Sequence, residues 1–404
     1  MAGQACRIVC EGEAVVELQD GVVEVCGVVL VANGHYKYAV CVEKPLVLNS
    51  MEGGSFSLST KGNVDISKFP MDVTNLMRCA RQLSFSAARV AVLGERGAGK
   101  TYVAQFISNI VIKSGCTVLY CDLNVDSNTS YCPGCISVTA VTQPSKAVFS
   151  LGESIGLDNL SVAFSVGSVD PPAPLSLPIF LHFVSQLDRC RDSLRQSIKD
   201  VSIFDVGTPA GSVPFDTYLK RVIEVIQPTH VVTVSSPVSL WSKPLQEDVG
   251  RTLPNCEFLQ TIALNAVGDK SDKSQATDIY PLIARYFAGS VNAPLGSSKV
   301  VFSSGKLKFF ELTVHGGQVR ADILHPSFHN IAGRLCAISH AVMEHEVPFA
   351  NVAGLLFVTD YDEESGEVVA VVPSGDESLP NAFLIVPPHP TLGSWELLNS
   401  SVSV

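Results

Sequence analysis

The octapeptide Gly94-Glu95-Arg96-Gly97-Ala98-Gly99-Lys100-Thr101 constrains this chain more than any other feature. It has the spacing G-x4-G-K-[ST] and lies between the apolar run Arg89–Leu93 and a helix-periodic segment, Lys100–Ser114. A strand that turns straight into a helix gathers backbone N–H groups and the positive end of the helix dipole at one point, where a phosphate binds. The glycines let the backbone close around phosphate oxygens. Lys100 offers a point charge to the β- and γ-phosphates, and Thr101 a hydroxyl to Mg2+. Chance would give roughly 0.01–0.02 such matches in a chain of this length. Gly94, Gly97, Ala98, Gly99, Lys100, Thr101 and the following Tyr102 are therefore the expected nucleotide-binding residues.

The segments around this loop alternate strand and helix. Ala88–Leu93 and Cys116–Leu123 read as buried strands, Val73–Ser84 as a helix. Ile179–Lys199 and Phe215–Ile226 read as helices, Val201–Val206 and His230–Val234 as strands. That order predicts a mostly parallel α/β sheet covered on both faces. The flanks differ. Arg7–Cys10, Ala14–Leu18, Val22–Cys26, Val28–Val31 and Tyr36–Val42 are short Val-rich runs separated by turn residues, among them Glu52-Gly53-Gly54 further on. They predict an N-terminal β-sandwich, with Lys61–Asp72 as a connector. Beyond Ala293 the runs Val300–Phe302, Lys306–Leu312, Leu355–Asp360, Glu367–Val372 and Phe383–Val386 predict a second β-rich unit. At roughly 100–200 residues per domain, 404 residues accommodate this division. Its expected boundaries are 1–72, 73–292 and 293–404.

Composition limits the function. With 28 basic and 39 acidic residues the net charge is −11, so the chain lacks the general basic field of a protein that coats nucleic acid. RNA contact would have to be local, weak or indirect. The Met1–Arg7 start shows no secretory pattern, and Asn159–Leu187 is broken by prolines. The twelve cysteines sit mostly within apolar runs, as reduced thiols of a cytosolic or nuclear protein do.

Acidic strand ends supply the remaining chemical candidates. Asp122, in Cys121-Asp122-Leu123-Asn124-Val125-Asp126, could position Mg2+ or take a proton, and Asp205 is a second metal candidate. Cys132-Pro133-Gly134-Cys135 has no partner pair and reads as a turn, so no zinc is expected. His325 and His329 lack further ligands, Trp241 reads as a buried anchor, and Asp360, Asp362 and Glu363 read as a hairpin turn.

In order and spacing, these pieces resemble the Clp branch of the polynucleotide 5′-hydroxyl kinase family, the cleavage-factor subunit of pre-mRNA 3′-end processing. The resemblance spans nearly the whole chain. It takes in Gly21-Val22-Val23-Glu24-Val25-Cys26-Gly27, the phosphate loop, residues 122–126 and Pro133–Ser137. Gly167-Ser168 with Pro171, Arg285-Tyr286-Phe287, and Pro373 with Leu379-Pro380 complete it. It implies three domains, ATP bound in the central one under an N-terminal cover, a nuclear location and a Pcf-type scaffold subunit as partner. Active members transfer the γ-phosphate to an RNA or DNA 5′-hydroxyl, using a D-x-D-x-G-Q run and lid arginines.

Here the second acid is Asn124, the G-Q is Asp126-Ser127, and the lid Asp269–Phe287 keeps Arg285 but has Ala284 at the last arginine position. An amide cannot accept a proton as a carboxylate does, and a lost arginine costs on the order of 10³-fold in phosphoryl transfer. The resemblance therefore implies a degenerate kinase with ATP as structural ligand. The alternatives are an active kinase using Asp122 or Asp126, and an unrelated P-loop ATPase switch. Lys44-Pro45 resembles a Lys-x-Pro turn that faces the base, which makes Lys44 a candidate base contact.

Overall fold

The computed structural model describes residues 4–388 apart from 11–13, 32–33, 35, 41–45, 71–72, 84–86, 129, 145–160, 170–172, 196, 198, 210–212, 236–240, 263–278, 291–292, 295 and 374–381. Lys44, Pro171, most of the lid and Leu379-Pro380 lie outside the described residues.

The N-terminal sheet contains β1 (Gln4–Cys10), β2 (Ala14–Val25), β3 (Val28–Val31), β4 (Tyr36–Val40), β5 (Leu46–Thr60) and β6 (Val64–Pro70). Its order is β3-β2-β5-β1-β6, with β4 also on β2. Register shifts at Leu18/Asp20 and Gly21/Val23 bend the long β2–β5 ribbon around a core of Ile8, Val16, Leu18, Val25 and Leu48. Three expectations fail here, the first being that Ala14–Leu18 and Val22–Cys26 are separate runs, since the single strand β2 covers both as far as Val25. Glu52-Gly53-Gly54 lies within β5, and Lys61–Asp72 is not a connector, since residues 64–70 pair along β1. Polar strand residues paired to a distant segment carry no local signal of their pairing.

The central unit runs α1 (Thr74–Leu83), β7 (Arg89–Gly94), α2 (Lys100–Lys113), β8 (Val118–Asp122), β9 (Cys135–Val141), β10 (Ser161–Ser165), α3 (Leu177–Leu194), β11 (Val201–Asp205), α4 (Phe215–Ile226), β12 (His230–Ser235), α5 (Ser242–Thr252), β13 (Glu257–Ile262) and α6 (Ile279–Ala288). The sheet order is β10-β9-β8-β11-β7-β12-β13, parallel from β8 to β13, with β9 and β10 antiparallel. The α/β expectation holds, although the helix read to Lys199 ends at Leu194. Pleating sorts β7 onto two faces. Val90 and Val92 pack toward α1 and α2, Ala91 and Leu93 toward α3 and α4. The second face continues into the C-terminal sheet through Phe310, Leu335, Leu355 and Phe357.

That last sheet follows the two-residue strands β14 (Gly289–Ser290) and β15 (Ala293–Pro294). Its strands are β16 (Ser298–Ser303), β17 (Leu307–His315), β18 (Gln318–Leu324), β19 (Arg334–Ser339), β20 (Val352–Asp362), β21 (Glu367–Val372) and β22 (Ala382–Ile385), with α7 (Phe328–Ile331) between β18 and β19. They run in the order β16-β21-β20-β19-β22-β17-β18. Leu355 N–H donates to the Tyr286 hydroxyl of α6 (2.9 Å), and His182 Nε2 of α3 meets Pro348 O at 2.8 Å. Both contacts join this sheet to the central unit.

The N-terminal sheet meets α2 through the β2–β3 turn, Cys26-Gly27. Both residues have positive φ (47° and 80°), as a two-residue hairpin requires. Asn109 Nδ2 donates to Cys26 O (2.7 Å), and the Cys26 thiol to Tyr102 O (3.8 Å). A Cβ on Gly27 would stand 2.5 Å from the backbone oxygen of Phe106. Gly27→Ala should therefore cost about 2–4 kcal/mol, from left-handed strain plus displacement from α2. Gly53→Ala, also at positive φ but with open space around it, is the control. Equal losses in thermal stability for the two variants would show that the close approach to α2 does not matter.

A candidate nucleotide site at the ends of the parallel strands

In a parallel sheet all strand C-termini lie on one edge, and loops leaving that edge on opposite sides open a crevice. The loops after β7, β8 and β11 meet there. Gly97 and Gly99 hold φ of 74° and 94°, turning the phosphate loop into α2, whose first residue is Lys100. Ala98 is buried and its N–H donates to Glu95 O (3.2 Å). Lys100 Nζ donates to Glu95 O and to Thr208 Oγ1, both at 3.0 Å. Burial lowers the Lys100 pKa, partly offset by the Asp205 carboxylate.

Asp205 ends β11 beside Asp122 of β8 in register. It is fully buried, and burial raises its pKa against the opposing action of the Thr101 hydroxyl, Lys100, Tyr120 and Asn124. Tyr120 OH donates to its Oδ2 (3.1 Å), while its Oδ1 is buried without a hydrogen-bond partner. A buried carboxylate oxygen left unsatisfied beside a threonine hydroxyl suits a hard cation such as Mg2+. Thr101 and Asp205 fit that ion.

Asn124 occupies the position of the expected degenerate acid. Its Nδ2 donates to Asp122 Oδ1 (2.9 Å) and Asp205 O (3.5 Å), and its backbone N–H also donates to Asp122 Oδ1 (3.1 Å). Asp122, fully buried, is thus engaged in its own turn. Asp126 forms an ion pair with Arg96 (2.8 Å). Asn128 ties the loop down: its Nδ2 donates to Cys135 O (3.0 Å), and its Oδ1 accepts from the N–H groups of Ser130 and Tyr131.

Other candidates fall outside this cluster. The Tyr102 side chain is buried on the side of the Cys26 turn. Arg285 lies in α6, where neighbouring Ala284 is buried in the core. Cys132 and Cys135 are buried free thiols flanking the Pro-Gly turn, in which Cys135 N–H donates to Cys132 O (3.2 Å). Among the described residues no group of three or more His, Cys, Asp or Glu is placed to hold a metal ion. Trp241 packs edge-on against Phe215. Asp362 Oδ1 accepts from Glu364 N–H (2.9 Å) in the acidic hairpin turn. Sequence reasoning missed Arg96 and Thr208. Arg96 is a variable position of the loop pattern, and Thr208 reaches Lys100 only through the β7–β11 pairing.

A five-stranded parallel core with this loop after its third strand, and a buried aspartate on the neighbouring strand, defines a P-loop nucleotide-binding protein. Residues 94–289 match the family described as the mRNA cleavage and polyadenylation factor CLP1 P-loop. The chain is 20% identical over 410 residues to a Brugia malayi protein named CLP1 homolog, covering 94% of this chain and 91% of that one. Two solved structures share its fold. One is a wild-type Clp1p–Pcf11p complex (18% identity, TM-score 0.76, 96% of each chain). The other is described as showing an extended Pcf11p–Clp1p interface and the basis of ATP loss in a glycine-to-arginine mutant (18%, TM-score 0.78, 96% and 97%).

Proposed function

We propose that this chain is a nuclear, Clp1-type subunit of the mRNA 3′-end cleavage machinery, divided at 1–72, 73–292 and 293–404, which holds Mg2+-ATP as a structural ligand. Its partner would be a Pcf-type scaffold subunit, by likeness to the Clp1p–Pcf11p complexes. Gly94, Gly97, Ala98, Gly99 and Tyr102 would serve through the loop and helix backbone. Lys100 would meet the β- and γ-phosphates, and Thr101 and Asp205 would hold Mg2+. Once bound, the ion would neutralise phosphate charge.

The observation that carries the loss of transfer is Asn124. Its amide donates to Asp122 and to the β11 terminus, and it has no basic group to offer an acceptor hydroxyl. Of the two carboxylates that could replace it, Asp122 is engaged in its own turn, accepting from the Asn124 backbone and side-chain amides. This weighs against the active-kinase alternative. The β-rich units on both sides of the P-loop domain weigh against an unrelated ATPase switch.

Two measurements test the reading. Nucleotide released from purified protein should be intact ATP by mass spectrometry. Incubation with γ-labelled ATP and 5′-hydroxyl RNA or DNA oligonucleotides should give no labelled product at high protein concentration. Product that disappears in Lys100→Ala would establish an active kinase instead.

A further inference from the structure

Neither the phosphate-loop chemistry nor the metal position uses the Arg96–Asp126 pair. Arg96 projects from the loop after β7, and Asp126 from the loop after β8. In the sheet β11 lies between those strands, so the 2.8 Å contact spans the end of β11, where Asp205 and Lys100 sit. Ser127 Oγ donates to the other Asp126 oxygen (3.2 Å). Arg96 and Asp126 are both close enough to act electrostatically on Lys100, in opposite senses. Two cations thus converge on the mouth of the loop, and the more exposed one is held by a carboxylate. The Arg96 side chain is 43% exposed and that of Asp126 15%.

We propose that Arg96 is a terminal-phosphate contact carried by the phosphate loop itself, and that Asp126 holds it across the mouth until a nucleoside triphosphate takes the carboxylate's place. This rests on the nucleotide-binding reading above. A guanidinium presents a planar fork of donors that fits phosphate oxygens as it fits a carboxylate, so exchanging one for the other preserves its hydrogen bonding. The guanidinium is 43% exposed, so solvent weakens the pair and the exchange costs little. A diphosphate lacks the terminal phosphate that this contact would take. The role therefore predicts selectivity for the triphosphate rather than affinity in general.

The test is titration calorimetry of ATP and of ADP, with Mg2+, on the full chain and four variants. Arg96→Ala should weaken ATP binding about 10- to 100-fold, the worth of a charge-assisted hydrogen bond, and ADP binding less than about 3-fold. Asp126→Asn should tighten ATP binding several-fold, and the double variant should lose that gain. Melting curves check that each variant folds. An unchanged ATP-to-ADP ratio in Arg96→Ala overturns the phosphate contact. A gain from Asp126→Asn that persists without Arg96 overturns the holding role. Lys100→Ala separates the two levels of inference. If it abolishes binding while Arg96→Ala keeps the ratio, only this proposal falls. If the wild-type chain binds neither nucleotide, the nucleotide-binding reading falls with it.

Discussion

Lys100→Ala is expected to abolish nucleotide binding and to lower thermal stability even without nucleotide. The two losses have different origins. In the proposed site Lys100 meets the β- and γ-phosphates, and without it their charge would have no compensation at the helix start. Stabilisation by bound nucleotide, about 2.7 kcal/mol at a hundred times Kd, disappears with it. The second loss comes from Asp205, a fully buried carboxylate on which Lys100 acts directly. Removing a cation that favours the ionised form of a buried carboxylate lowers stability as long as that carboxylate stays charged. Asp205 has a second course, since burial already favours its protonated form, so the intrinsic loss should be smaller at low pH. Differential scanning fluorimetry with and without Mg2+-ATP, at pH 5.5 and 8, resolves both parts. Melting that equals the wild type under all four conditions would contradict the structural role of the nucleotide and the electrostatic action of Lys100 on Asp205 together.

Glu24→Gln should raise stability at pH 8 and do nothing at pH 4.5. Glu24 sits fully buried behind the β2–β3 turn, with Oε1 accepting from Gly27 N–H and Oε2 unpartnered. Burial pushes its pKa up to about 7 from an ordinary 4.5, against the lowering action of Gly27 and Asn49. Cys26 and Tyr102 face it, and both are driven further from ionising. A carboxyl whose folded pKa lies above its unfolded one loses its proton first in the unfolded chain. Between about pH 4.5 and 7 the unfolded state then binds fewer protons, and stability falls as pH rises. Completed, this amounts to about 3 kcal/mol, and glutamine keeps the acceptor for Gly27 while carrying no charge. The observable is the difference between variant and wild type in urea midpoints across that window, which cancels every other titrating group. A flat difference would show that Glu24 is ionised or solvated in the native state.

How much was legible before the structure depended on whether a feature is local in the chain. The phosphate loop is a contiguous octapeptide, and its flanking strand and helix read correctly because β7 and α2 are apolar by continuity and periodicity. Val28–Val31, Phe215–Ile226 and Glu367–Val372 were legible to the residue, each bounded by turn or breaker signals. Asn124 could be singled out as an amide in an acid's place, because the resemblance to the family's D-x-D-x-G-Q run is read position by position. What depended on pairing between distant segments stayed hidden. β6 owes its existence to β1, and β9 and β10 to each other and to β8.

The site divides in the same way. Residue chemistry alone proposed parts for Lys100, Thr101 and Asp205, from the spacing of a phosphate loop and an acid at a strand end. Which carboxylates remain available was decided by packing. Parallel pairing sets Asp122 beside Asp205 in register, the strand order stretches Arg96 across to Asp126, and the Cys26-Gly27 turn seats Glu24 behind α2. A chain pattern records the kind of group at each position. Burial, and the partner a group finds, depend on segments separated by tens of residues coming within about 3 Å, and only the folded chain brings that about.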